Sequence, residues 1–403
     1  MRVYVLLLCA AAMLADVLFT TVFVVRGVWQ LAISVCLAPF RAVVNTPEVT
    51  CVDTDENRLL LERMPSARKF APWVLAVGPI AQTLASVWFR RMKVPYTREF
   101  FTMPDGVLVA LDWKAKPDLP EDAPLVFIAH GLGGGSGSHY AEVLTDELHE
   151  RGYRSVVYNR RGHHGTSLAP QVAGSTSTKV FPQHWDEEDM CSVVDHVVNC
   201  FPAATKFAIG FSCGANIVAN FQALRKDASP FMAAASLGNG YDLVSGTKYL
   251  ADEFWADGFV ASFLKSKLYT NGLLTEAMEL AKQANIQVNW TDVMCCISLR
   301  AFEKALVVPV YGYKHEDDYY HFNTCHWRLK DVCKPLLCVA NWDDPLVDRK
   351  LPLFAVSAAA ANPSIITVVT QHGGHIGWVT GRTELRWWIR LYLEFITAVQ
   401  AKA

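Results

Sequence analysis

Phe207-Ala208-Ile209-Gly210-Phe211-Ser212-Cys213-Gly214-Ala215-Asn216-Ile217-Val218-Ala219-Asn220 decides the reading of this chain. A short apolar run, strand-like in length, meets a helix-like run at Gly210-Phe211-Ser212-Cys213-Gly214. A Gly-x-Ser-x-Gly between strand and helix is a nucleophile elbow. The turn is so tight that only small residues fit on both sides of the serine. It lifts the hydroxyl above the sheet, with a helix N-terminus behind it. Gly and Ser are common, so the pentapeptide gains meaning only if the rest of the chain supplies a base, an acid and donors for an oxyanion.

Strands and helices alternate outward from the elbow. Apolar runs at 125–129, 155–159, 206–210, 232–237, 335–340 and 365–370 read as strands, and 140–151, 186–201 and 384–401 read as helices. Asp186, Glu187, Glu188 and Asp189 suit the N-terminal end of a helix dipole. Continuous apolar strands alternating with helices imply an α/β architecture, a mostly parallel sheet covered on both faces. Thr102-Met103-Pro104-Asp105-Gly106-Val107 carries turn chemistry between two strand-like runs, so a hairpin is expected there. The helical, aromatic-rich stretch at about 240–330 is too long for a loop and reads as a cap over the site.

The chain has 403 residues, 52% hydrophobic and 19% charged, enough for one large core plus an extra segment. A net charge of −2 gives no electrostatic footprint for a polyanion, which argues against nucleic acid as partner. The 11 cysteines are scattered, without C-x-x-C or zinc spacing, and most read as small buried hydrophobes. Neither a metal nor an organic cofactor is called for. Residues 3–25 are almost wholly apolar between Arg2 and Arg26, and about 20 such residues span a bilayer. Asp16 near the middle costs a few kcal/mol there. The lack of a polar face argues against a buried amphipathic helix, and residues 3–15 as a signal peptide would have Ala15 as a poor cleavage site, so an uncleaved membrane anchor is preferred. The resulting division is an anchor at 1–40, a linker and packed extension at 41–96, and the main domain at 97–403. Residues 71–89 are apolar again, but Pro72, Gly78 and Pro79 interrupt them, so packing on the domain is expected rather than a second span.

A serine hydroxyl is a weak nucleophile and needs a base. Two strand ends supply candidates. Asn341-Trp342-Asp343-Asp344-Pro345-Leu346-Val347 follows one strand, and Gln371-His372-Gly373-Gly374-His375-Ile376-Gly377 follows the next. Loops at the C-terminal ends of parallel strands share the side of the sheet on which the elbow stands. His375, between glycines that let the loop bend, is preferred to His372 as base. For the oxyanion, the amide of Cys213 and one from His130-Gly131-Leu132-Gly133-Gly134-Gly135-Ser136-Gly137 are expected, Leu132 being the natural second donor. That loop has no Lys and fits no nucleotide fingerprint. Asn159-Arg160-Arg161-Gly162-His163-His164-Gly165 reads as scaffold around the pocket. The spacing of His184 and Asp189 resembles an acyltransferase pair, but Asp189 is more simply a first-turn charge.

Taken together these residues resemble the membrane-anchored α/β-hydrolase-domain lipase subfamily. That group includes mammalian monoacylglycerol and medium-chain phospholipid lipases and yeast medium-chain ethyl ester synthase/esterases. The resemblance runs from about Pro72 to the C-terminus. Gly106 with Leu111-Asp112-Trp113, the His130 loop, Asn159-Arg160-Arg161-Gly162, the elbow, Tyr311-Gly312-Tyr313-Lys314 with Asp317-Asp318-Tyr319-Tyr320, and the loops of Asp344 and His375 carry it. Asp344-Pro345-Leu346-Val347 has the usual form of the acid loop in this fold and points to Asp344 over Asp343. Cys213 stands where Leu is usual, Ala215 where Gly is usual, and a His often found near residues 78–83 is absent. The resemblance implies a serine hydrolase acting on acyl esters of lipids, with Ser212, Asp344 and His375 as triad and one N-terminal span in an endomembrane such as the endoplasmic reticulum. An alcohol acyltransferase using the same triad is the alternative, and a non-catalytic membrane scaffold a third.

Overall fold

The computed structural model describes residues 2–37, 46–76, 78–88, 93–269, 272–381 and 386–402. Among the described residues nine strands form one sheet: β1 (Glu48–Thr50), β2 (Thr97–Thr102), β3 (Leu108–Lys114), β4 (Leu125–Ala129), β5 (Arg154–Asn159), β6 (Lys206–Phe211), β7 (Phe231–Leu237), β8 (Leu336–Asn341) and β9 (Ile365–Thr370). Their order is β1-β9-β8-β7-β6-β4-β5-β3-β2. The sheet is parallel from β5 through β9, while β1 on one edge and β3 and β2 on the other run antiparallel. The expected hairpin is β2–β3, turned by Gly106 at φ 80°.

The helices are α1 (Arg2–Leu37), α2 (Asp55–Glu62), α3 (Pro79–Trp88), α4 (His139–Glu150), α5 (Glu187–Cys200), α6 (Cys213–Arg225), α7 (Leu243–Asp252), α8 (Phe254–Tyr269), α9 (Leu273–Gln283), α10 (Trp290–Cys295), α11 (Leu299–Val310), α12 (Glu316–Asn323), α13 (Pro352–Ala361) and α14 (Trp387–Gln400). Alternation along the strands sorts two cores. Val126, Ile128, Phe207 and Ile209 pack with α4 and α14 on one face, while Phe127, Ala129 and Ala208 pack with α5, α6 and α13 on the other. Helices α7 to α12 form a third cluster, the cap.

Two expectations change. Residues 48–68, which composition reads as linker, hold β1, α2 and a 3-10 turn at Pro65–Arg68. Strand β1 extends the sheet by pairing with β9, and Trp387 Nε1 donates to the carbonyls of Ser66 and Lys69 at 2.9 and 3.0 Å. A three-residue strand is too short to show a period, which is why composition misreads it. The N-terminal segment is one helix, and Ala10–Gln30 within it is long and apolar enough to cross a membrane. Yet one side of it is docked: Ala12, Phe19 and Phe23 are buried against the domain, with α8, α3 and α10 as neighbours. Within the described part of 71–88, Ala76, Ala81 and Ala85 form a small buried cluster with Val379. Residues 38–40, at the end of the expected anchor, lie outside the described residues.

Candidate active site

Strand order reverses beside β4, which has β5 on one side and β6 on the other. Loops at such a switch point diverge and leave a crevice at the strands' C-terminal ends. The His130 loop leaves β4 and the elbow leaves β6, so both flank that crevice. Ser212 has φ 54° and ψ −117°, a strained conformation for a residue with a Cβ. Its neighbours explain the glycines. A Cβ on Gly210 would lie 2.1 Å from the Gly214 carbonyl oxygen, and one on Gly214 would lie 2.2 Å from that of Ala129. The turn is pinned by Ser212 N–H donating to Leu237 O at 2.9 Å, and α6 begins at the next residue.

The structure brings Ser212, His375 and Asp344 into one chain. Ser212 Oγ lies 3.0 Å from His375 Nε2, and His375 Nδ1 lies 2.9 and 3.1 Å from the two oxygens of Asp344. Asp344 is 7% exposed and also accepts the Leu346 N–H at 2.8 Å. The His375 N–H donates to Thr83 Oγ1 of α3 at 2.8 Å, so the extension helps hold the loop. The other candidate pair goes elsewhere. His372 Nδ1 is 2.9 Å from Asp343 Oδ2, and Asp343 Oδ1 accepts the Gly374 N–H at 3.2 Å. Asp343 and His372 thus brace the loop that carries His375.

The β4 loop passes close to the serine: a Cβ on Gly131 would sit 3.2 Å from the Cβ of Ser212 and from Phe211 O. Leu132 is the next residue, and Cys213 begins α6, where N–H groups have no partner within the helix. The loop is held from below. Tyr140 OH accepts the Gly131 N–H at 2.8 Å, and Asn159 Oδ1 accepts the Ser136 N–H at 2.8 Å. Asp112 ties this brace together, accepting from Asn159 Nδ2 at 2.9 Å, from Ser136 Oγ, and from Arg98 through two bonds of 2.7 Å. Burial works against the Asp112 carboxylate, but Arg98, Ser136 and Asn159 outweigh it and hold its pKa below the usual range. Burial also pushes His130 and His163 down, His163 to about 3, and His130 Nε2 accepts the Arg160 N–H at 3.4 Å. Both are neutral scaffold imidazoles.

One cluster escapes the sequence reading. His184 Nδ1 is 3.4 Å from Cys213 Sγ, and its Nε2 is 2.7 Å from Glu303 Oε1 of α11. Tyr319 and Tyr320 donate to the same carboxylate at 3.3 and 2.5 Å. Burial alone would lower His184, but Glu303 and Cys213 overcome it and raise its pKa to about 10. The Cys213 thiol, pushed up by burial, is brought below its usual value by His184 and Arg160. His184 therefore does not pair with Asp189, which binds Arg161 through bonds of 2.6 and 2.7 Å and Lys179 at 2.8 Å. Among the described residues, two groups bring three metal-ligating atoms together. Asp186, Glu188 and Asp189 already surround the Lys179 ammonium, while Glu99, His196 and Cys200 lie at the β2 edge, remote from Ser212.

The model of the α/β hydrolase fold matches residues 124–270, from β4 through α8, which includes the elbow. This chain has the α/β-hydrolase fold. Relatives by sequence include embryogenesis-associated protein EMB8 of Picea glauca, 30% identical over 74% of this chain and 65% of that one. Phospholipase ABHD3 of Mus musculus is 26% identical over 89% of this chain and 85% of its own length. Monoacylglycerol lipase of Saccharomyces cerevisiae is 26% identical over 70% of this chain and 61% of its own. The chain thus spans about two thirds of the spruce protein and most of the mouse one. The resemblance read from the motifs and that found by comparison point to one lipase-containing group.

Proposed function

We propose that this protein is a serine hydrolase that cleaves carboxylic esters of lipids, such as monoacylglycerol or medium-chain phospholipid. The observation that carries this reading is the continuous contact from Ser212 Oγ through His375 to Asp344, at 3.0 and 2.9 Å. In the first half-reaction Ser212 Oγ attacks the acyl carbonyl carbon while His375 Nε2 takes the hydroxyl proton. Asp344 holds the imidazole with Nδ1–H toward it and stabilises the imidazolium. The carbonyl oxygen becomes an oxyanion, for which the N–H groups of Leu132 and Cys213 are the donors. Collapse breaks the ester C–O bond, and His375 returns the proton to the leaving alcohol. Water then attacks the acyl-Ser212 ester, His375 takes its proton, and collapse releases the acid and restores the serine.

The lipid substrate class rests on the names of the relatives, on the apolar cap above the site and on α1, whose composition suits a membrane. Attachment to a membrane through α1 belongs to the same proposal. A fluorophosphonate probe, which phosphonylates an activated serine, tests the nucleophile. Labelling of wild type and none of Ser212→Ala is expected, and labelling that persists in Ser212→Ala contradicts the assignment. Transfer of the acyl group to an alcohol would share the first half-reaction. Product analysis with ethanol present separates the two: free acid as the product is expected, and a dominant ethyl ester would make the protein an acyltransferase.

A further inference from the structure

Asp16 sits in the middle of the most apolar stretch of the chain, where a carboxylate surrounded by lipid is costly. It is not surrounded by lipid in the fold. Its Oδ1 lies 2.7 Å from Lys265 Nζ and accepts a hydrogen bond of 2.7 Å from Ser262 Oγ, both on α8. The Lys265 side chain is 1% exposed, and its ammonium also donates to Cys296 O at the end of α10, at 2.7 Å. The rest of the seam is fitted to this pair. Phe19 packs on Gly258, where a Cβ would lie 2.5 Å from the ring. Phe23 stacks on Phe259 with centroids 4.3 Å apart, and the Arg26 guanidinium lies 4.8 Å from the Trp255 ring centroid. At the far end Gln30 Oε1 accepts the N–H groups of Ile80 and Ala81 at 3.0 and 3.1 Å, completing the N-terminus of α3. Ala12, Asp16, Phe19, Phe23, Gly27 and Gln30 recur at helical spacing, so they form one face. The opposite face, with Leu14, Val17, Val25 and Trp29, is exposed.

What α8 does next gives this seam a function. Phe263, one turn beyond Phe259, lies over the loop expected to hold the oxyanion: a Cβ on Gly133 would be 2.4 Å from its ring. Leu132 packs against the cap cluster that includes Val260 and Leu264 of α8. Helix α1 therefore fixes, on its docked side, the helix that roofs the loop. Beside the seam, a cleft of about 600 Å³ runs from Val25, Arg26 and Trp29 to Trp255 of the cap and to the Asp344 loop. Ser212 is not in its wall, so this cleft is a contact between α1 and the acid loop rather than the catalytic pocket itself.

We propose that Asp16 and Lys265 are positioning residues that latch the N-terminal apolar helix to α8, making α1 part of the roof over the active site and not a tether independent of it. The proposal rests on the hydrolase reading for its functional consequence. With the latch intact, α8 stays at the height an acyl chain needs beneath it. Without Asp16, Lys265 is a buried ammonium without its counter-ion; without Lys265, the part-buried Asp16 keeps only Ser262 as partner; either way the seam loosens. An independent tether makes the opposite prediction, because loss of Asp16 would only ease its stay in lipid.

The test uses the full chain in detergent micelles and compares Asp16→Asn, Lys265→Met and the double variant, which removes both charges. Turnover of acetyl and octanoyl p-nitrophenyl esters is measured for each. The ratio of octanoyl to acetyl kcat/KM is expected to fall about tenfold in each single variant, through KM, and to recover most of that loss in the double variant. An unchanged ratio in both single variants, or a double variant whose losses simply add, overturns the latch. Thermal unfolding read in parallel needs no substrate. Midpoints lowered in both singles and partly restored in the double support the latch, and additive or absent shifts count against it. If acetyl turnover survives Ser212→Ala, the hydrolase reading fails while the unfolding cycle still tests the seam.

Discussion

At the scale of residues, two carboxylates stand side by side and do different things. Asp344 is buried and faces His375, while Asp343 faces His372 and a backbone N–H of the same loop. The sequence offers both acids, and only the form of the loop favours one. The geometry adds the reason: a histidine for each acid, one pair directed at Ser212 and one at the backbone. Asp344→Asn is expected to lower kcat on a soluble ester by about 10⁴-fold, the cost of leaving the imidazole in the wrong tautomer. Asp343→Asn keeps its shape and one acceptor, so a loss of about tenfold or less is expected, from a loosened loop. Equal losses in the two variants, at matched folded fractions by circular dichroism, would contradict the division of labour. Cys213 shows the limit of a local reading. The pentapeptide presents it as a small residue with a useful amide, but its thiol meets His184, and through it Glu303, 90 positions further along the chain.

At the scale of elements, the main strands are legible because each is a short, wholly apolar run. Strands β4 and β9 fall where the runs begin and end, and the others shift by a residue. The β1 strand and the docking of α1 are not legible, since both depend on partners far along the chain. Helix α1 has no polar stripe because its docked face is built of small and aromatic residues around a single acid. The cap is legible as an insertion but not as a set of contacts. Its α11 reaches the core through the Glu303–His184 pair, which makes a pH-dependent joint. With its pKa raised from 6.5 to about 10, His184 contributes stability that is fully present below pH 6.5 and is lost as pH rises through about 10. The unfolding midpoint of wild type is therefore expected to fall between pH 7 and 10.5. Glu303→Gln lowers it already at pH 7, because it removes the main partner of the imidazolium, and the slope above pH 7 flattens. A Glu303→Gln curve parallel to wild type would contradict the joint. Thermal unfolding followed by fluorescence across this range measures both.

At the scale of the whole molecule, three layers meet at one point. The sheet places the ends of β4, β6, β8 and β9 on one side, so the loops of Leu132, Ser212, Asp344 and His375 converge. The N-terminal extension adds Thr83, whose hydroxyl accepts the His375 N–H. The cap comes down on the same place from above. The sequence makes the candidate site readable because each of its parts is a contiguous stretch with its own glycines: an elbow, a loop, an acid turn and a histidine turn. The supports are unreadable for the opposite reason. Arg98 with Asp112, Glu303 with His184 and Asp16 with Lys265 are pairs between elements, and no local pattern announces them. In the proposed mechanism Ser212 carries the acyl group between two half-reactions. Acid-quenching the wild-type protein during turnover of an octanoyl p-nitrophenyl ester, then mapping the adduct by peptide mass spectrometry, addresses it directly. An octanoyl group on the peptide bearing Ser212, lost on further incubation before quenching, is the result expected. Steady ester hydrolysis with the acyl group on another residue, or with none on the protein during a measured burst, would contradict it.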